Sequence, residues 1–156
     1  MNGFFSLDEF LKIRKKIKEE NKKLVFTNGV FDIIHRGHVD YLLRAKALGD
    51  YLVVALNSDA SVKRLKGETR PINKLEDRAF VLFNLKPVDF VISFEEDTPY
   101  NVLSKIIPDV LVKGGDWRID QIVGRDIVEA NGGKVYSLPY LENFSTTAII
   151  NKMKNS

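Results

Sequence analysis

Short apolar runs alternate with amphipathic stretches along the chain, and this alternation restricts the possible folds more than any other feature. Five runs predict strands, at 24–27, 51–56, 88–94, 110–113 and 134–138. Strands that are apolar on both faces are typical of a parallel sheet covered by helices on each side. The predicted fold class is therefore α/β, a Rossmann-like three-layer α/β/α arrangement with a five-stranded parallel sheet.

The stretches around these strands predict helices. Ser6 and Glu9 have the spacing of a capping box at the start of the first helix, and Asn73 with Glu76 resembles another helix start. Further helices are expected at 37–48, 99–107, 119–130 and 145–154. The polar, basic segment 57–69 predicts a loop that could move as a flap. No linker or repeat interrupts residues 1–156, so we expect a single domain.

The composition excludes several classes of protein. The chain has no Cys, which rules out disulfides, thiolate metal sites and a cysteine nucleophile. Its 24 Lys and Arg against 21 Asp and Glu give a net charge of +3, too small to indicate a nucleic-acid partner. No signal-peptide pattern or membrane-spanning run is present, so we expect a cytoplasmic protein without a membrane partner.

Two histidines mark the loop after the first strand. His35 and His38 lie three residues apart at the mouth of a helix, where unpaired backbone N–H groups and the helix dipole favour an anion. Gly37 lets a phosphate approach the backbone closely. This combination suits a triphosphate; the alternative is a pair of surface polar residues near a helix cap.

A metal site is a second interpretation of the paired histidines. Its third ligand would have to be a carboxylate such as Asp32, because the chain has no further His and no Cys. The helix dipole and Arg36 both disfavour a cation at this position. We therefore predict a phosphate site and no metal site held by protein side chains.

Three further segments should lie at the same edge of the sheet, beyond the carboxyl ends of the strands. Lys63, Arg64 and Lys66 could neutralise a polyphosphate, or could belong to an ordinary solvated loop. The segment 113–117, with paired glycines, could hold a base or ribose, or could be a tight turn. The hydroxyls of 145–147 could bind an anion, or could simply cap the last helix.

Together these residues resemble the cytidylyltransferase-like nucleotidyltransferase superfamily. Its marks are an HxGH signature, matched by 35–38, and a Ser/Thr motif at the last helix, matched by 145–147. Within it, residues 26–152 look most like the adenylyltransferase domain of bacterial ADP-heptose synthases. The matching segments are 26–29, 57–61, 70–73, 91–99 and 111–116.

The resemblance implies roles for individual residues. It implies that His35 and His38 stabilise the transition state at the α-phosphorus, and that Lys63 and Lys66 neutralise the phosphates. It implies nucleotide contacts from Thr27, Asn28, Gly29, Val30, Phe31, Gly37, Asp59, Arg78, Lys113, Gly114, Gly115, Asp116, Ser145, Thr146 and Thr147. A divalent ion, usually Mg²⁺, would bridge the phosphates of ATP.

The activity implied is transfer of AMP from ATP to a heptose 1-phosphate, for lipopolysaccharide core or cell-surface glycan precursors. The chain length leaves no room for the sugar kinase fused in many relatives, so a stand-alone form served by a separate kinase is expected, and relatives are often dimers. In related glycerol-3-phosphate cytidylyltransferases, a basic residue precedes the Ser/Thr motif. In this chain, the residues in that region are 140–144. The alternatives are a CTP-dependent enzyme acting on glycerol 3-phosphate or a similar alcohol phosphate, and a non-catalytic nucleotide-binding domain.

Overall fold

The computed structural model describes residues 3–141 and 144–156, and it confirms the predicted sheet. All strand pairs are parallel, and the order across the sheet is β3-β2-β1-β4-β5. The strands are β1 (Leu24–Gly29), β2 (Tyr51–Asn57), β3 (Phe90–Phe94), β4 (Val110–Gly114) and β5 (Lys134–Leu138).

The helices are α1 (Leu7–Glu19), α2 (Arg36–Lys46), α3 (Asp59–Lys66), α4 (Leu75–Phe83), α5 (Tyr100–Ile106), α6 (Arg125–Ala130) and α7 (Thr146–Lys154). The capping box at Ser6 and Glu9 is confirmed, and Ser145 caps α7 by accepting a hydrogen bond from the amide of Ala148.

Two buried apolar clusters lie on opposite faces of the sheet. Residues of α1, α5 and α6 form the first cluster with alternate strand residues such as Phe26 and Ile92. Residues of α2 and α4 form the second with the intervening strand residues, such as Val25 and Val91. Adjacent strand residues therefore pack against opposite helical layers, which explains why the strands are apolar throughout.

The strand order reverses between β1 and β4, and this reversal opens a crevice. β1 pairs with β2 along its whole length, as far as Gly29 opposite Leu56. It pairs with β4 only at Val25 and Phe26. The carboxyl ends of β1 and β4 therefore separate, as is typical of ligand sites in parallel α/β sheets.

The expected flap at 57–69 is wrong for most of its length, because residues 59–66 form α3. Ser58 caps this helix by accepting a hydrogen bond from the amide of Ser61, at 3.2 Å. Ser61 and Val62 are fully buried against the sheet. Only two inward-facing residues anchor the helix, so its apolar periodicity is too weak to predict it.

Two other helix predictions need correction. The segment 119–130 is a 3₁₀ turn, Ile119–Gln121, followed by α6, with Gly124 between them at φ +91°. Ile122 and Val128 still face one core, which explains the single helical pattern. α4 begins at Leu75, with Lys74 rather than Asn73 at the N-cap position and no side-chain hydrogen bond from Lys74 to the helix.

Candidate active site

A cavity of about 380 Å³ occupies the crevice beyond the carboxyl ends of β1 and β4, which we call the main cavity. It brings together twelve residues that the sequence proposed for binding or catalysis. These are Asn28, Gly29, Val30, Phe31, His35, His38, Lys66, Lys113, Gly114, Ser145, Thr146 and Thr147.

The two imidazoles are held in one orientation by the first turn of α2. Nδ1 of His35 accepts a hydrogen bond from the amide of Gly37 at 3.1 Å, and Nδ1 of His38 accepts one from the amide of His35 at 3.3 Å. Because Nδ1 is the acceptor in each neutral ring, the proton is assigned to Nε2. Nε2 of His35 is buried and has no hydrogen-bond partner among the described residues. It is therefore a buried donor without an acceptor, on a residue that lines the main cavity.

Burial keeps both rings neutral in the absence of a ligand. Desolvation, followed by the proximity of His35, lowers the pKa of His38 to about 4. Desolvation also lowers the pKa of His35. A phosphate beside them would offset this cost of charging, because an anion favours the protonated form.

Close packing at Gly37 and Phe31 sets the geometry of the histidine loop. A Cβ on Gly37 would lie 2.9 Å from both His35 and Phe144, so only glycine fits there without moving a ring. Phe31 has a φ of +48°, a strained value for a residue with a side chain, and its ring centroid lies 5.2 Å from that of His38. Strain of this kind tends to occur at functional sites.

Arg70 is a cavity residue that the sequence did not single out. Its Nε donates to Oδ2 of Asp32 at 3.0 Å, and the Asp32 side chain is fully buried. Asp32 also accepts from the backbone amides of Ile72 and Asn73, at 2.7 and 2.8 Å. Its oxygens therefore fix the 70–73 segment, and the metal-ligand alternative for Asp32 finds no support. The signal that could have found Arg70 is its position a few residues beyond the cations of α3.

The cations of α3 point in different directions. Lys66 lines the main cavity, whereas Lys63 is exposed and does not line it. Arg64 is committed to the side chain of Asp97, at 2.9 Å, and to the carbonyl of Glu95. Lys113 is a further cation that lines the main cavity. Desolvation, followed by the proximity of Lys66, lowers the pKa of the Lys113 ammonium group.

Arg78 and Asp59 lie away from the cavity lining and pair with each other, the arginine buried and the aspartate partly exposed. The Arg78 side chain is fully buried, and its guanidinium donates to the carbonyls of Asn73, Val30 and Asn57. It also donates to Oδ1 of Asp59 at 2.8 Å. The arginine thus ties the loop after β1 to the start of α4, so its predicted nucleotide contact would have to be indirect.

Other predicted contacts are also outside the lining. Thr27 is buried and its hydroxyl lies 2.6 Å from that of Tyr41. Gly37 is packed beneath His35, the amide of Gly115 donates to the carbonyl of Leu138, and Asp116 is exposed.

The paired glycines and the last helix close the other side of the cavity. The ring of Tyr140 lies against Gly114, where a Cβ would come within 2.2 Å of the tyrosine hydroxyl. Glycine is therefore required at position 114 by the packing of the Tyr140 side chain, whether or not a ligand is bound. The hydroxyl of Thr146 donates to the carbonyl of Ile33 at 3.0 Å, which joins α7 to the histidine loop. Glu142 and Asn143, in the segment that departs from the cytidylyltransferase pattern, lie outside the described residues.

A doubly wound parallel sheet with a cavity at its strand reversal is the arrangement typical of nucleotide-binding α/β proteins. The family model named cytidylyltransferase-like matches residues 26–152, and this chain belongs to that family. It is accordingly a nucleotidyltransferase.

Individual relatives agree with this assignment. The chain is 56% identical over 153 residues to the bifunctional protein HldE of Ectopseudomonas mendocina, covering 98% of this chain and 32% of the relative. It is 56% identical over 154 residues to HldE of Pseudomonas fluorescens Pf-5, covering 99% of this chain and 32% of the relative. The chain thus spans about a third of the length of these relatives.

One solved structure is also similar, the lipopolysaccharide core biosynthesis protein of Thermoplasma volcanium GSS1. It has a TM-score of 0.63 and 31% identity, and the match covers 79% of this chain and 99% of the other.

Two features are absent from residues 3–141 and 144–156. No helix there is long and apolar enough to cross a membrane. No group of three or more His, Cys, Asp or Glu side chains there could hold a metal ion.

Proposed function

We propose that this chain transfers the AMP group of ATP to a heptose 1-phosphate, giving ADP-heptose and pyrophosphate. The observation that carries the proposal is the buried, unpartnered Nε2 of His35 beside His38 at the start of α2. A donor of this kind needs an acceptor oxygen, and a phosphate supplies one.

The reaction requires the alignment of two anions. An oxygen of the sugar phosphate attacks the α-phosphorus of ATP, and the bond from that phosphorus to the bridging oxygen breaks. The bridging oxygen keeps the electron pair and leaves as part of pyrophosphate. Because the attacking phosphate is already anionic, the step needs positioning and electrostatic stabilisation rather than a general base.

The cavity residues suit this task. His35 and His38 donate from Nε2 to phosphate oxygens, and Lys66, Arg70 and Lys113 reduce the repulsion between the two substrates. The proposed roles of Ser145, Thr146 and Thr147 are contacts from the start of α7 to the nucleotide. Lys63 would act only if a bound nucleotide extended beyond the main cavity.

A divalent ion, proposed to be Mg²⁺, would enter with the nucleotide. Such an ion is commonly bound by substrate phosphates with only one or two carboxylates, so the absence of a cluster of protein ligands in the described residues fits it. Among the described residues, two carboxylates line the main cavity. Both oxygens of Asp32 accept hydrogen bonds from the 70–73 segment, whereas only Oδ1 of Asp97 is paired, with Arg64, so Oδ2 of Asp97 is the candidate ligand atom. The ion would supply charge neutralisation on the phosphates.

The choice of heptose 1-phosphate as acceptor is supported by the relatives. The chain is similar to HldE proteins over nearly its whole length, and to a lipopolysaccharide core biosynthesis protein. A kinase activity that phosphorylates the sugar would supply the acceptor, and the product would serve lipopolysaccharide core or cell-surface glycan synthesis.

A pyrophosphate-release screen tests the proposal. ATP and CTP are each paired with heptose 1-phosphates, hexose 1-phosphates and glycerol 3-phosphate, with Mg²⁺ present. We expect release with ATP and a heptose 1-phosphate. Preference for CTP with glycerol 3-phosphate would instead identify a cytidylyltransferase, and nucleotide binding without release for any pair would identify a non-catalytic domain.

A further inference from the structure

A second, smaller cavity of about 120 Å³ opens beside the main cavity, and we call it the side cavity. Asn28, Asp97 and Lys113 line both cavities, so the two cavities adjoin at these residues. The side cavity is smaller than the ~300 Å³ at which typical ligand pockets begin, so its volume suits a group smaller than a nucleotide.

The walls of the side cavity combine an apolar surface with polar groups. Pro99, Leu111, Ile122 and Val123 give the apolar part. Polar side chains border it, namely those of Asn28, Asp97, Thr98 and Gln121. Apolar walls with a few oriented amide, hydroxyl and carboxylate groups suit a small polyhydroxylated ligand, whose hydroxyls both donate and accept hydrogen bonds.

Trp117 provides a fixed aromatic wall. Its indole Nε1 donates to the carbonyl of Gly114 at 3.1 Å, which limits rotation of the ring. The ammonium of Lys113 lies 5.3 Å from the ring centroid. A ligand that packs against the Trp117 ring would therefore contact the apolar face of the indole and lie close to the ammonium group of Lys113.

Lys113 lies at the junction of the two cavities, whereas the histidines belong to only one of them. His35 and His38 line only the main cavity, whereas Lys113 lines both. In-line displacement at phosphorus needs the attacking and leaving groups on opposite sides of the phosphorus atom. A lysine at the junction can contact an anion in either cavity, while the histidines remain with the nucleotide.

We propose that the side cavity binds the sugar of the acceptor sugar phosphate, with the phosphate at Lys113 and the sugar against Trp117. The inference rests on the proposed function and adds the location of the acceptor. The sugar hydroxyls contact Gln121 and Thr98, so these side chains determine which sugar is accepted.

Filling the side cavity provides the first test. Val123 lines the side cavity and Ile119 does not, although both are exposed residues of the same connection, at 41% and 39%. We expect Val123→Phe to raise the KM for heptose 1-phosphate about tenfold or more while the KM for ATP is unchanged. Ile119→Phe is the matched control and should change neither. An unchanged acceptor KM in Val123→Phe, or an equal rise in both KM values, would overturn the inference.

The fluorescence of Trp117 provides a test that does not depend on turnover. It is the single tryptophan of the chain. The protein is saturated with a non-hydrolysable α,β-methylene ATP analogue and titrated with heptose 1-phosphate, with inorganic phosphate as the control. We expect a saturable emission change with the sugar phosphate that Val123→Phe weakens. No change, or an equal one with inorganic phosphate, would overturn the inference.

The two tests separate this inference from the proposed function. Pyrophosphate release by the wild-type protein without a specific response of Trp117 would support the proposed function and overturn the placement of the acceptor. A saturable, sugar-specific response without pyrophosphate release would support the binding site and overturn the proposed reaction.

Discussion

The imidazole rings of His35 and His38 stack on one another, with ring centroids 3.9 Å apart and an interplanar angle of 26°. Two protonated rings at this distance would repel, and both rings are partly removed from water. The pair is therefore stable as two neutral donors and becomes a favourable site for charge only when an anion is present.

The first prediction concerns pH. Because the folded-state pKa of His38 is about 4, below the ordinary histidine value of 6.5, its contribution to folding stability is fully present above pH 6.5. The contribution is lost as the pH falls through about 4, since the unfolded chain binds the proton more readily. The chain has only two histidines, so NMR titration of their ring protons measures both pKa values directly. Addition of pyrophosphate should raise both, and a ligand-free pKa near 6.5 for His38 would contradict the burial argument.

Replacement of His38 should impair the reaction far more than the fold. His38→Ala is expected to reduce kcat/KM by about 10²-fold or more, because it removes a donor to the transition state. The midpoint of thermal unfolding should change by only a few degrees. Near-normal turnover in a folded variant would show that the ring is not part of the catalytic site.

The two lysines of α3 should differ. Lys66 lines the main cavity and Lys63 does not, so Lys66→Ala should raise the KM for ATP about tenfold while Lys63→Ala leaves it nearly unchanged. The pair forms its own control, since both residues are exposed and on one helix. Equal effects would mean that α3 moves when nucleotide binds.

Arg70 is expected to contact substrate phosphates through its terminal nitrogens, which have no hydrogen bond within the described residues. Arg70→Lys keeps the charge but loses the planar group that binds Asp32 and phosphate together. We expect a rise in the KM for ATP of about tenfold or more, measured by initial rates at saturating acceptor. An unchanged KM would assign Arg70 to the support of the 70–73 segment alone.

Arg78 should matter for stability. Arg78→Met leaves the carbonyls of Val30 and Asn57 without their donor and should lower the free energy of unfolding by about 3–5 kcal/mol. Arg125→Met is the control, since its exposed pair with Glu129 should contribute less than ~1 kcal/mol. Urea denaturation measures both, and a small effect for Arg78→Met would contradict a structural role.

Part of the site could be predicted because its signals are local. His35, Gly37 and His38 act through the first turn of one helix, and Ser145 caps another, so sequence spacing is sufficient to place them. Arg70 and the side cavity could not be predicted in this way. Arg70 is placed by Asp32, which is 38 residues away, and the side cavity joins residues of β1 and β4 with the β3–α5 and β4–α6 connections.

The sequence by itself determined the parallel five-stranded sheet, its two helical layers and the edge at which the main cavity lies, because apolar periodicity reports which faces are buried. Only the tertiary structure decided which cations reach the cavity, that residues 59–66 form a helix, and that Arg78 is buried inside the protein. The physical reason is that these outcomes depend on contacts between residues distant along the chain. The periodicity of a single segment carries no information about such contacts.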